Sequence, residues 1–243
     1  MNTYHIEGRS VTEWLLALAE RGNKPFTERL HPNILGVLGL RLPDLRKLAK
    51  MIAKDPNWRE YLAEAERGAS SLKEDFMEAR TLHGLVLGAI PHKDLEEYLG
   101  YVARWVPRIN SWSVCDCFSF SGGKSLVAKH SDRLWSFLLP YFGAKGEYEV
   151  RFGVVATMQY FIDEEHLLPL LGHYAGVQHE GYYVQMALAW AIAECYIRFP
   201  DQTLPYLSQP HFHPWVHNKT IQKICESYRI SPSTKVMLRA LKI

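Results

Sequence analysis

Leu42-Pro43-Asp44-Leu45-Arg46-Lys47-Leu48-Ala49-Lys50-Met51-Ile52-Ala53-Lys54 is the stretch whose reading decides the fold. Pro43 suits a first helical turn, where its missing N–H would have had no partner anyway. Asp44 sits beside the positive end of the helix dipole. Leu45, Leu48, Ala49 and Ile52 recur at helical spacing and make an apolar stripe, while Arg46, Lys47, Lys50 and Lys54 cover the other side.

Similar punctuation recurs along the chain. Ser10 caps a helix carrying Val11, Trp14, Leu15 and Leu18, which Gly22 ends. Asn23 to Gly39, with Pro25, Pro32, Gly36 and Gly39, reads as a loop. Pro56 opens a short helix through Trp58, Tyr61 and Leu62. Further helices are predicted over Ser71–Leu87, from Pro91 through Val102, over Ile109–Phe120 (closed by Gly122-Gly123) and over Lys124–Phe142. Tyr148–Phe161, Glu164–Tyr174 and Tyr182–Phe199 follow, the last being the longest and most apolar. Asp201–Leu207, Trp215–Tyr228 and Ser231–Leu241 complete the set, with Ser231 and Pro232 as N-cap and first residue. No strand-like alternation is evident. About a dozen helices, paired at roughly 35 to 45 residues, predict an all-α HEAT-like superhelix with a concave face, a compact bundle being the competing architecture. Residues 1–243 are expected to form one domain, with residues 1–9 a flexible arm.

The composition is globular, 47% hydrophobic and 22% charged, and a net charge of +2 sets no global bias toward nucleic acid. The C-terminal stretch is locally basic, with Lys219, Lys223, Arg229, Lys235, Arg239 and Lys242 against Glu226. Cys115, Cys117, Cys195 and Cys225 form no C-x-x-C pair and read as reduced thiols of a cytoplasmic protein. No N-terminal apolar core marks a signal peptide, and no apolar run reaches membrane length. Phosphate-binding loops, dinucleotide fingerprints, nucleophile elbows and H-E-x-x-H are absent. His211-Phe212-His213, between Pro210 and Pro214, has no evident third ligand, so no metal is expected there.

Three constellations carry chemistry. In Ile109-Asn110-Ser111-Trp112-Ser113-Val114-Cys115-Asp116, Trp112 and Asp116 stand one helical turn apart on one face. An indole beside a carboxylate suits a cation; a core Trp with a capping Asp would have the same spacing. In Tyr148-Glu149-Val150-Arg151-Phe152-Gly153-Val154-Val155, a single Arg opens an otherwise apolar helix. Such an Arg needs an acid, Asp116 for example, or an external phosphate, unless it snorkels at the helix end. Tyr182-Tyr183-Val184-Gln185-Met186-Ala187-Leu188-Ala189-Trp190 places aromatics at a helix start, as core or as the lining of a groove.

Trp112-x-x-x-Asp116, then Arg151, then Tyr182-Tyr183-x-Gln185-x-Ala187-x-x-Trp190 resembles the AlkD-type DNA alkylation repair family. Leu40-Arg41-Leu42-Pro43-Asp44-Leu45-Arg46-Lys47-Leu48 and Asn218-Lys219-x-x-Ile221-Gln222-Lys223 resemble the flanking segments, so the likeness runs from Gly36 to Arg229 in order. The resemblance implies a HEAT-like superhelix holding duplex DNA in its concave face. It also implies N-glycosylase chemistry that removes cationic N3- and N7-alkylated purines without flipping the base, with no metal and no organic cofactor. Asp116 matches the carboxylate of that family and Trp112 and Trp190 its deoxyribose-packing aromatics. Arg151 matches its cleft arginine, Tyr182 and Tyr183 an aromatic pair at the DNA backbone, and Lys219 and Lys223 lie in the flanking motif.

The pattern also departs from the family. Ala193 stands where active members carry a DNA-contacting Arg, and Met186 where they carry a Lys. Before Pro43 one helix and a long loop are predicted, where active members have two gripping helices. These losses remove phosphate contacts and mark a divergent branch. The alternative is therefore a non-catalytic HEAT-like module recognising DNA structure, or a protein-interaction scaffold, in either case a monomer.

Overall fold

Apolar stripes separated by Gly and Pro build this chain, and the computed structural model, which describes residues 3–68, 75–209 and 211–243, shows what they become. The described residues fold into fifteen α-helices and one two-stranded hairpin; the fold is all-α, and its helices pack in HEAT-like pairs. No helix among the described residues is long and apolar enough to cross a membrane. The chain divides into two compact units, Met1–Lys129 and His130–Ile243.

The first unit opens with β1 (His5–Ile6) and β2 (Arg9–Ser10), followed by α1 (Val11–Ala19), α2 (Lys24–Leu30), α3 (Leu42–Lys54) and α4 (Trp58–Arg67). It continues with α5 (Met77–Leu87), α6 (Leu95–Trp105), a 3-10 turn at Val106–Arg108, α7 (Trp112–Asp116) and α8 (Gly123–Lys129). Every second helix stacks: α5 packs against α3 and α7, and α4 against α6, giving two layers. The stripe predicted from Leu45, Leu48, Ala49 and Ile52 is buried between them. Burial of four such side chains is the main local driving force for α3.

Two expectations for this unit are corrected. The N-terminal arm is folded from Tyr4 onward. Glu7 and Gly8 both take positive φ, the geometry of a tight hairpin turn, and set Ile6 opposite Arg9. Tyr4 and Ile6 are buried, the Tyr4 N–H donates to Glu64 Oε2 at 2.5 Å, and Trp14 Nε1 donates to the Ile6 carbonyl at 3.0 Å. The expected loop 23–39 contains α2. Asn23 caps it, its side chain accepting from the Phe26 N–H, and Pro25 lies in its first turn. None of its residues is buried, so it has no apolar stripe to betray it. Before Pro43 there are thus two helices, not one.

The connection from α2 to α3 is pinned by Glu78. This buried carboxylate accepts the backbone N–H groups of Leu38, Gly39 and Leu40, the Gly39 bond being 2.6 Å long. Gly39 has φ +80°, and a Cβ there would lie 2.3 Å from the Lys24 nitrogen, so only glycine allows the approach. The helix expected over Ser71–Leu87 begins at Met77; Ser71 lies outside the described residues. The helix expected over Ile109–Phe120 is shorter, α7 covering five residues.

In the second unit come α9 (Ser131–Leu138), a 3-10 turn at Leu139–Gly143, α10 (Glu147–Tyr160), α11 (Leu167–Gly176) and α12 (Tyr182–Arg198). They are followed by α13 (Pro200–Ser208), α14 (Pro214–Glu226) and α15 (Pro232–Arg239). The one helix expected over Lys124–Phe142 is therefore α8, α9 and the 3-10 turn, which takes Pro140 in its opening residues. α10, α12 and α14 pack side by side, with α11 and α13 in contact as a second layer. Thr157 of α10 and the Tyr174 hydroxyl of α11 share a buried 3.0 Å hydrogen bond across the layers. At the C-terminus Asn218 bonds both the N–H and the carbonyl of Ile243. Ser231 caps α15 as expected, accepting from the Thr234 N–H.

Candidate functional site

The predicted residues fall on α7 in the first unit and on α10, α12 and α14 in the second. Each unit presents them from one of its two layers.

On α7, buried Ser111 is the N-cap, its Oγ accepting from the Val114 N–H. This places Trp112 and Asp116 at the two ends of one turn, both half-buried. Trp112 is held from behind. Its indole stacks on the His31 imidazole, ring centroids 5.0 Å apart and 8° from parallel, and its Nε1 donates to the Leu30 carbonyl at 3.3 Å. His31 is itself buried and fixed twice. Its Nδ1 lies 2.8 Å from the Thr27 carbonyl and its Nε2 2.8 Å from Ser113 Oγ. A carbonyl only accepts, so Nδ1 carries the proton; in the neutral ring, Nε2 then accepts from the Ser113 hydroxyl. The C-terminal end of α2 is thereby joined to α7, and one indole face is committed to His31. Beyond Asp116, burial is the chief cause of a raised Cys117 thiol pKa; Arg46 opposes the shift and Asp116 adds to it.

On α10, Arg151 is buried, so it does not snorkel. Its Nη1 donates to the Tyr183 carbonyl at 2.7 Å. One turn earlier, Glu147 accepts the Tyr183 N–H at 2.7 Å. Gly181 permits this approach, since a Cβ there would sit 2.6 Å from Glu147 Oε1. The first turn of α12 is thus clamped on α10 through both backbone groups of Tyr183. Around it the aromatics form a chain. Tyr183 meets Tyr148 at 5.5 Å and Tyr182 at 5.3 Å, and Tyr182 meets Trp215 at 5.8 Å. Lys219 Nζ lies 5.4 Å from the Trp215 ring centroid, within cation–π range. Tyr182 is exposed.

Trp190 is exposed two turns further along α12 and makes no ring contact among the described residues. Lys223 pairs with Glu226 at 2.9 Å and Arg229 with Glu194 at 3.0 Å, so two cations of the basic C-terminal stretch are committed within the unit. Ala193 is buried, and the position offers no side chain to a ligand. His213 Nδ1 accepts from the Trp215 N–H as the cap of α14, while His211 packs on Tyr206; Pro210 lies outside the described residues. Sequence reasoning missed His31, Glu147, Tyr148 and Trp215. Only Trp215 carried a local signal, one turn before Lys219.

Chemically, the first unit offers a carboxylate beside a fixed indole, a pairing suited to positive charge. The second offers a buried guanidinium, phenol hydroxyls and a lysine, a set suited to phosphate oxygens.

The fold defines a helical-repeat protein of the HEAT-like class. Within that class the chain belongs to the DNA alkylation repair enzyme family, whose model matches residues 11–227. The match runs from the first residue of α1 to just past α14, leaving the hairpin and α15 outside. Membership assigns the chain a role in DNA repair, with DNA as its substrate or partner. No curated protein matches the chain.

Proposed function

We propose that the protein is a DNA N-glycosylase that excises positively charged N3- or N7-alkylated purines from duplex DNA. The observation that carries this reading is the fixed Trp112 beside Asp116, a cation-stabilising pair in a chain of the alkylation repair family. An alkylated purine is already cationic and leaves with the electron pair of its bond to C1′, becoming neutral. The sugar is left oxocarbenium-like, and water adds to C1′ and loses a proton, giving an abasic site. Asp116 stabilises the developing charge and orients that water, and Trp112 packs on the deoxyribose; Trp190 offers the DNA an exposed aromatic face from the second unit. Arg151, Tyr182, Tyr183 and Lys219 hold the DNA backbone, joined by Lys223 when DNA phosphate displaces Glu226, its surface partner. No metal or organic cofactor enters the scheme.

The test is release of 7-methylguanine from methylated duplex DNA. Asp116→Asn should lower the rate by about 10²–10³-fold, the usual effect of removing one preorganised electrostatic group, while duplex affinity changes little. Wild-type rates in this variant would sink the assignment of Asp116.

A second reading is a non-catalytic binder of DNA structure. It draws on the internal pairing of Lys223 and Arg229 and on buried Ala193, which thin the set of phosphate-gripping side chains. Salt-dependent duplex binding with no base release, in wild type and Asp116→Asn alike, would favour it.

A further inference from the structure

In the first unit a cavity of about 620 Å³ lies between the N-terminal hairpin, α1, α4, α5 and the 3-10 turn that ends in Arg108. It shares no residue with the α7 site or with the second unit. Ligand cavities commonly measure roughly 300 to 1,000 Å³.

Two of its lining groups lack the partners their burial calls for. His83, on α5, is 2% exposed, and its Nε2 has no hydrogen-bond partner among the described residues. Burial, reinforced by the charges of Arg108 and Arg104, keeps that imidazole neutral. Arg108 is the second. Its Nη1 donates to the Glu66 carbonyl at 3.0 Å, but no carboxylate among the described residues pairs with it. Of the acids within electrostatic reach, Asp75 is held by Arg80 at 2.6 Å and Glu66 Oε2 by Arg104 at 2.9 Å, while the buried Glu66 Oε1 makes no hydrogen bond among the described residues. Arg80 in turn donates to the Arg108 carbonyl at 2.7 Å and fixes the turn that presents it. Gly68 leaves room for the guanidinium, since a Cβ there would lie 3.0 Å from Nη2. A half-buried cation with no carboxylate in ion-pair contact among the described residues and a neutral buried imidazole therefore line one cavity, with Leu15 and Tyr61 as apolar wall.

We propose that this cavity binds a small organic anion, its phosphate or carboxylate head on Arg108 and a polar group on His83. The guanidinium fork matches two anionic oxygens, and the neutral imidazole supplies one donor or acceptor. An apolar portion of the ligand packs on Leu15 and Tyr61.

The test is thermal unfolding at constant ionic strength with methyl phosphate or acetate as probe against chloride, together with NMR of the His83 ring in the wild-type protein. The expected result is a saturable rise in Tm with one probe, displaced His83 resonances, and binding weakened at least about tenfold in Arg108→Gln. A response to methyl phosphate assigns a phosphate head, and a response to acetate a carboxylate head. The proposal fails if neither probe gives a saturable rise with movement of the His83 signals. It also fails if the rise survives Arg108→Gln, or is lost in Arg151→Gln, which would place the anion in the second unit.

Discussion

His31→Ala tests whether the packing behind Trp112 prepares the α7 site. The substitution removes the stack on Trp112, worth about 0.5–1.5 kcal/mol for an aromatic pair. It also removes hydrogen bonds to the Thr27 carbonyl and Ser113 Oγ, each contributing roughly 1 kcal/mol. The sum is about 3 kcal/mol. For a chain of this size each kcal/mol moves Tm by roughly 2–4 °C, so the variant should melt about 6–12 °C below wild type. Trp112 would keep only its bond to the Leu30 carbonyl, on a segment no longer tied to Ser113. A misplacement near 1 Å costs on the order of 10²-fold in rate, so base release should fall steeply. Duplex affinity should change little, because His31 is buried and meets no ligand. His31→Phe retains a ring to stack but neither hydrogen bond, and should fall between the two. Differential scanning calorimetry and a single-turnover 7-methylguanine assay read the two effects. If His31→Ala melted within about 1 °C of wild type and released base at the wild-type rate, His31 would not be what positions Trp112.

Three further outcomes are expected. Glu78→Gln replaces a buried acceptor of three backbone N–H groups with a neutral amide; it should cost about 2–4 kcal/mol and expose the Leu38–Leu40 amides to hydrogen exchange. Arg151→Lys keeps the charge but loses the fork that reaches the Tyr183 carbonyl, so duplex affinity should fall about tenfold while the salt slope stays unchanged; an unchanged affinity would remove Arg151 from the interface. His83 is pushed down to about 3 by burial first, then by Arg108 and Arg104, from an ordinary 6.5. Below pH 6.5 the unfolded chain takes a proton that the folded chain refuses. Stability should therefore fall by about 1.4 kcal/mol per pH unit on this account as pH drops toward 3, and denaturant midpoints of His83→Leu between pH 6.5 and 5 should show a shallower slope.

What the sequence disclosed follows a physical line. α3 was legible because four apolar residues on one face all went into the core, and Pro43 and Asp44 marked its start. α2 was not, because a helix that buries nothing has no period to read; it is held by an Asn23 cap and by a loop pinned to Glu78, forty residues on. The hairpin escaped because two-residue strands cannot show alternation. The site divides in the same way. Trp112 and Asp116 could be paired from spacing, and Arg151 stood out as a charge in an apolar helix. Their supports could not be found so, since His31 meets Ser113 across 82 residues and Arg151 bonds a backbone carbonyl 32 residues away, an acceptor every residue possesses. α5 makes the point most sharply. Glu78 and His83 are polar, yet both are buried, because the helix is enclosed on nearly all sides. A polar residue inside an apolar stretch has to be given a partner by the fold. Glu78 finds its partners in backbone groups, whereas the Nε2 of His83 finds none among the described residues, and that difference is what separates a structural clamp from a site still open to a ligand.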